Sequence, residues 1–309
     1  MTNVHFDHFI TYTSAADVDE YLKEYAAQGF MPEERTVRHE PGLRNRFVFL
    51  GTEYIEFCWV EDEELFAAGE EEEKLLRCAV RPFGIGMIAE DVQAVHEDWT
   101  ARGYSVPAVW SKAPRDAPPN APPSWSFQEV PAELLPGVNA FVLTYHNRKK
   151  GGARKIHIHP NTIYALSKVT FVAAEPESRA IHWRNLLAPD EQVKPSKMSF
   201  AVTIGAHRAS WMSPNAYLAT YHRQWIPAPH PYGEMAVLHL RAANLQTVKT
   251  MLEHAGRRIT QISNRGRKEL FVEPDERDGF AFAVQEQSIN TWLQERMDRT
   301  GETIDIEER

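Results

Sequence analysis

Two apolar runs near the start of the chain each carry one side chain able to bind a metal ion. His8 lies within Phe6-Asp7-His8-Phe9-Ile10, and Glu56 within Glu53-Tyr54-Ile55-Glu56-Phe57. A carboxylate in an apolar strand is costly to bury unless a cation or hydrogen-bond donors meet it. An imidazole beside it supplies half of a site for a divalent ion such as Fe, Mn, Ni or Zn. If both runs are strands, alternation places Phe6, His8 and Ile10 on one face, and Tyr54, Glu56 and Cys58 on one face of the other. The same pair is also satisfied without metal if the two side chains hydrogen-bond to one another, and the residue types leave both arrangements open. The sequence has no glycine-rich phosphate loop, no Gly-x-Ser-x-Gly and no Cys-x-x-Cys, which removes the common nucleotide, serine-hydrolase and zinc-ribbon chemistries.

The elements that must position these residues repeat along the chain. Val4–Tyr12 reads as a strand, and Asp17 opens a helix with Val18, Tyr21, Leu22 and Tyr25 on one face and Gly29 at its end. Arg46–Leu50 and, after Gly51-Thr52, Tyr54–Val60 read as strands. A second unit runs from Phe83 to His146, and its Asp91-Val92 through Gly103-Tyr104 matches Asp17-Val18 through Gly29-Phe30. A third starts at Leu166, with a helix near Ser178–Leu187 and a closing strand expected at Tyr217–His222. A fourth starts at Met235, with a helix between Asn244 and Gly256 and a closing strand at Phe280–Gln285. The expected fold is α+β: four tandem βαβββ modules (4–60, 80–146, 164–224 and 234–287), paired into two curved mixed sheets. The boundary falls within Asn147–Thr162, giving domains 1–158 and 159–309, the second with a C-terminal tail. Glu61–Lys74 is expected to form a linker helix and Pro114–Pro123 an extended loop.

With 309 residues, 43% of them apolar, the chain has enough to fill two cores. A net charge of −9 opposes a nucleic-acid partner, and the short basic run Arg148-Lys149-Lys150 reads as solvated linker. Two cysteines, Cys58 and Cys78, imply no disulfide framework. The sequence shows neither a signal peptide nor a membrane-spanning run, so a cytoplasmic protein is expected. Its expected partner is a small-molecule substrate rather than nucleic acid or membrane, with a homodimer left open.

The tandem β-α-β-β-β order joins several motifs: Phe6-Asp7-His8, the helix ending at Gly29-Phe30, His39-Glu40-Pro41-Gly42-Leu43-Arg44-Asn45-Arg46, Tyr54-Ile55-Glu56 and His159-Pro160-Asn161. Together they resemble the vicinal oxygen chelate superfamily, and within it the glyoxalase-like domain proteins, over roughly residues 4–173. The resemblance implies a glyoxalase/dioxygenase-like fold whose paired modules form cups, with a divalent metal held from the first and last strands. His8 and Glu56 occupy those positions. Module two offers Gly84 or Gly86 and Thr144, with His146 one alternation further on, so a third ligand is His146, His39 or missing. The implied roles are proton transfer for His39 or His146, substrate positioning for Arg44 and Asn45, and an apolar lining from Phe6, Tyr54, Trp110, Trp125 and Tyr145. In the second half Lys168 stands for His8 and a position near Ala219 for Glu56, while His239 and Gln285 occupy the fourth module's strands. That half therefore reads as a scaffold, an interface or a separate pocket. The function implied is a metal-dependent lyase or isomerase acting on a small oxygenated organic molecule. It is favoured over an extradiol dioxygenase because no two-His-one-carboxylate set is visible. The alternative is a metal-free binding or sequestering protein of the bleomycin-resistance type.

Overall fold

The computed structural model describes residues 4–38, 42–62, 64, 82–112, 122–146, 154–226, 233–264, 266–274, 281–301 and 303–307. Its first half comprises β1 (His5–Tyr12), α1 (Val18–Ala27), β2 (Val37–Arg38), β3 (Leu43–Phe49), β4 (Tyr54–Val60), β5 (Pro82–Ile88), α2 (Val92–Ala101), β6 (Trp110–Lys112), β7 (Trp125–Val130) and β8 (Asn139–Tyr145). After β9 (Arg154–His157), the order recurs as β10 (Ile163–Val172), α3 (Pro176–Leu187), β11 (Lys194–Pro195), β12 (Phe200–Ile204) and β13 (His207–Met212). Then follow α4 (Pro214–Tyr221), β14 (Met235–Ala242), α5 (Leu245–His254), β15 (Ile259–Asn264), β16 (Arg267–Val272), β17 (Ala281–Glu286), α6 (Ile289–Thr300) and β18 (Ile304–Glu307).

Two eight-stranded mixed sheets result, ordered β2-β3-β4-β1-β5-β8-β7-β6 and β11-β12-β13-β10-β14-β17-β16-β15. In each, the first strand pairs parallel with the last strand of its own module (β1 with β4, β10 with β13) and antiparallel with the first strand of the next (β5, β14). The apolar stripe predicted for the first helix, Val18, Tyr21, Leu22 and Tyr25, is buried on α1, and Val248 and Leu252 are buried on α5. The largest apolar cluster joins the helix-bearing faces of both sheets. Phe6 packs on Trp183 at 6.2 Å, and Phe30 on Phe282 at 5.8 Å.

Polar contacts fix the two halves together. His159 bonds Phe49 O through Nε2 (2.6 Å) and accepts from Met31 N–H at Nδ1 (3.1 Å). Burial lowers its pKa to about 4, which keeps the ring in the neutral form these bonds require. Asn161 donates to Gln28 O (2.9 Å) where α1 ends, and a Cβ on Gly29 would stand 2.8 Å from the Asn161 side chain. His159-Pro160-Asn161 is therefore a structural clasp. Glu53, wholly buried in the β3–β4 turn, reaches across to His207 on β13 (3.2 Å) and Arg296 on α6 (3.4 Å).

Two strand expectations are corrected. Tyr217–His222 is not a strand: Pro214 begins a helix whose N-cap Ser213 accepts from Ala216 N–H, and β13 is the third module's closing strand. The strand expected at Arg46–Leu50 begins earlier, so Arg44 and Asn45 lie within β3. Residues 65–81, which include most of the expected linker helix, and residues 113–121 of the proline-rich insertion lie outside the described residues. Among the described residues no helix is long and apolar enough to cross a membrane.

Candidate functional site

The face of the first sheet turned away from its helices is organised by an irregularity in β1. Phe6 pairs with Met87 and His8 with Gly86, leaving Asp7 as an extra residue between them. This bulge resets the alternation. Phe6 turns to the helix side with Phe9, whereas Ile10 joins Leu43 and Cys58 in a separate apolar cluster. The expectation that Phe6 shares a face with His8 therefore fails, and Asp7 sits beside His8 instead. Opposite them Gly86 makes room for the imidazole: a Cβ there would lie 2.0 Å from His8 Cε1.

His8 is held from both sides. Its Nδ1 meets Asp7 Oδ2 at 3.0 Å, and its Nε2 faces Glu56 Oε2 at 3.4 Å. Asn45 Nδ2 donates to the other Glu56 oxygen. The ring stacks on Tyr54 (4.9 Å, 14°) and packs against Phe141 (5.4 Å). Tyr145 donates to Asp7 Oδ2 (3.1 Å) and lies 3.1 Å from the Tyr54 hydroxyl. Burial, followed by the charges of Asp7, Tyr145 and Glu56, holds the Tyr54 phenol well above its ordinary pKa, so it stays a proton donor. Burial and then Glu56 do the same to the Cys58 thiol, which hydrogen-bonds to that carboxylate. An aromatic wall extends outward from His8: Phe141 meets Phe127 at 4.7 Å, Phe127 meets Trp110 at 4.5 Å, and Trp110 meets Trp125 at 5.3 Å.

His8, Glu56, Asn45 and Tyr54 are thus brought together. Arg44 is not: alternation along β3 turns it away from Asn45, and it pairs with Glu61 at a shallow pocket shared with Arg46 and Trp59. His146 is not either. It is exposed and bonds Ser126 at 2.7 Å, on the side where Thr144 accepts from Val92 N–H at the start of α2. The β8 residues that reach the cluster are its neighbour Tyr145 and, further back along the strand, Phe141. His39 lies outside the described residues. Cys58 joins Glu56 as their shared strand face predicts, whereas Asp7 and Phe141 enter the site without having been assigned a role; the sequence's signal for Asp7 is the consecutive polar pair Asp7-His8 in an apolar strand.

The register of the second sheet gives the equivalent positions. His8 pairs with Tyr54 and Gly86 in the first sheet, and Lys168 pairs with Arg208 and His239 in the second. Lys168 thus stands for His8, as expected. Glu56 corresponds to Ser210, not to a residue near Ala219, because Ile10 pairs with Glu56 as Thr170 does with Ser210. His239 is buried between Glu269 (3.1 Å) and Thr170 (2.9 Å). Burial, then the charge of Lys168, lowers its pKa to about 4.

A family model described as a glyoxalase-like domain matches residues 6–187, more than half the chain. The chain belongs to the glyoxalase-like domain family. No curated protein sequence matches it. This glyoxalase-like chain is similar in fold to a hypothetical protein from Staphylococcus aureus (TM-score 0.58, 11% identity, 92% of this chain and 100% of that one). It is also similar to a mutant 4-hydroxymandelate synthase from Streptomyces coelicolor (0.57, 10%, 97% and 99%) and to a Mn(II)-bound glyoxalase from Novosphingobium aromaticivorans (0.54, 10%, 100% and 89%). At these identities the likeness establishes the vicinal oxygen chelate fold and not a reaction.

The donors of the first cup suit a divalent ion in type and support. His8 carries a carboxylate on its far nitrogen and Glu56 an amide on its far oxygen, the outer partners that orient metal-binding side chains. Among the described residues no group of three or more His, Cys, Asp and Glu side chains forms a complete ligand set. Among the described residues, the side chains that would hold such an ion are this pair.

Proposed function

We propose that the first cup is a metal-dependent active site of the vicinal oxygen chelate type, with His8 Nε2 and Glu56 Oε2 as the protein ligands. The observation that carries this reading is their face-to-face placement at 3.4 Å, each oriented from behind by Asp7 or Asn45. A divalent ion bound there would polarise adjacent oxygens of a substrate as a Lewis acid. Asp7 fixes the His8 tautomer by accepting from Nδ1. Tyr54 and Tyr145, linked hydroxyl to hydroxyl, offer a neutral proton donor at the His8 ring, a role that falls to them because His146 faces the other way. His39, just before β3 in sequence, remains the other candidate for proton transfer. The wall of Phe141, Phe127, Trp110 and Trp125 suits a substrate with an apolar or aromatic portion. A lyase or isomerase fits this donor set better than an extradiol dioxygenase, which needs a second histidine on the metal.

The rival reading, a metal-free protein that sequesters an aromatic compound, rests on the same contacts: His8, Asp7, Glu56 and Asn45 satisfy one another directly. Titration calorimetry with Mn, Fe, Ni and Zn ions separates the two. We expect one ion per chain and a loss of about 100-fold or more in affinity for His8→Ala, the scale of removing one of two ligands. Absence of stoichiometric binding by any of the four ions would leave the sequestering reading.

A further inference from the structure

The second cup is not a worn copy of the first but a site of opposite charge. Its cleft, about 1040 Å³, lies over the concave face of the second sheet between α4 and α6. That volume is in the range of small-molecule pockets. Among the described residues, eight lysines and arginines line it, against one glutamate, Glu295. This occurs in a chain whose net charge is −9.

The cations are placed by register. Lys168 on β10 and Arg208 on β13 are direct cross-strand partners. That register sets two positively charged side chains next to one another in the lining of the cleft. Arg241 on β14 lies one alternation beyond His239, the other cross-strand partner of Lys168. Burial lowers the Arg241 guanidinium pKa, and its Nε is buried with no hydrogen-bond partner, although another of its nitrogens donates to Gln285. Glu269 and Glu295 offset part of that shift, and Arg267 on β16 adds an exposed positive charge that acts in the same direction as burial. The carboxylate beneath them, Glu269, is bonded to His239. A guanidinium fork whose buried Nε has no hydrogen-bond partner, set among other cations, suits phosphate and carboxylate oxygens.

We infer that the second cup binds a small organic polyanion, a molecule carrying two or more phosphate or carboxylate groups, seated across Lys168, Arg208 and Arg241. The site is independent of metal chemistry in the first cup. A long polyanion is a poor fit because the remainder of the chain repels it.

Calorimetry with orthophosphate, pyrophosphate, tripolyphosphate and citrate on the full chain tests this. Affinity should rise along the phosphate series, with a single site per chain, and fall when salt is raised. Arg208→Gln, an exposed substitution that leaves folding intact, should weaken the best probe about tenfold. Arg241→Gln should weaken it further, while Lys249→Gln, outside the cleft, should leave it unchanged. Citrate and pyrophosphate distinguish a carboxylate from a phosphate ligand. Failure of every probe to bind at millimolar concentration overturns the inference. So does equal weakening by Lys249→Gln, or tighter binding of a single-stranded oligonucleotide than of tripolyphosphate.

Discussion

The two cups share strand order and register yet present opposite chemistry. At corresponding positions the first has His8, Tyr54, Glu56 and Gly86, and the second has Lys168, Arg208, Ser210 and His239. In the first, the large ring stands on β1 and the glycine on β5. In the second, the imidazole stands on the neighbouring strand β14. His8 lies between the carboxylates of Asp7 and Glu56; His239 has Glu269 on one nitrogen and the cations Lys168 and Arg241 nearby, and its pKa falls to about 4, first through burial and then through Lys168. The fold supplies two equivalent sets of positions, and the residue types filling them place a histidine beside carboxylates in the first and a group of lysine and arginine side chains in the second.

The contrast can be strained most severely at the joint between the cups. Glu53 of the first half is buried against His207 and Arg296 of the second. Arg296→Ala leaves that carboxylate short of its cation and should destabilise the protein by about 3–5 kcal/mol in urea unfolding. A loss under about 1 kcal/mol would mean the halves do not depend on this cluster.

Acid titration sharpens the comparison. His239 in the second cup and His159 in the clasp each have a folded pKa of about 4, below the ordinary 6.5, because burial favours the neutral ring. Between these values the unfolded chain binds more protons, so their contribution is complete above pH 6.5 and is lost as pH falls towards 4. Each accounts for at most about 3 kcal/mol. His239→Gln should flatten part of the slope of stability against pH in that window; an unchanged slope contradicts the burial argument.

The smallest expected effect discriminates the cups most directly. Gly86→Ala drives a Cβ into the His8 ring and should cost about 1–3 kcal/mol by overpacking. It should also weaken metal binding in the first cup while leaving the affinity of the second for tripolyphosphate unaltered. Equal change at both cups would show that they are not independent.

Much of the fold was legible because its signals are local. The helix stripe at Val18, Tyr21, Leu22 and Tyr25, the capping residues Asp91 and Asn244, and the four-module repeat are all written in spacing. The approach of His8 to Glu56 was legible for a related reason, since it needs only the first and last strands of one module to pair. The helix at Pro214–Tyr221 was misread as a strand: its aromatic and branched residues have strand character, and Ser213-Pro214 is the local start signal that should have taken precedence.

What the sequence alone determined is the modular order of most elements and that the first module carries a histidine on its first strand and a carboxylate on its last. Only the tertiary structure decided that a bulge brings Asp7 beside His8, that Asn45 and Tyr145 face the cup while Arg44 and His146 face away, and that Lys168 meets Arg208. Each of these is a matter of register. A shift of one residue exchanges the faces of a strand, and the pairing that fixes it is made with residues distant in the chain.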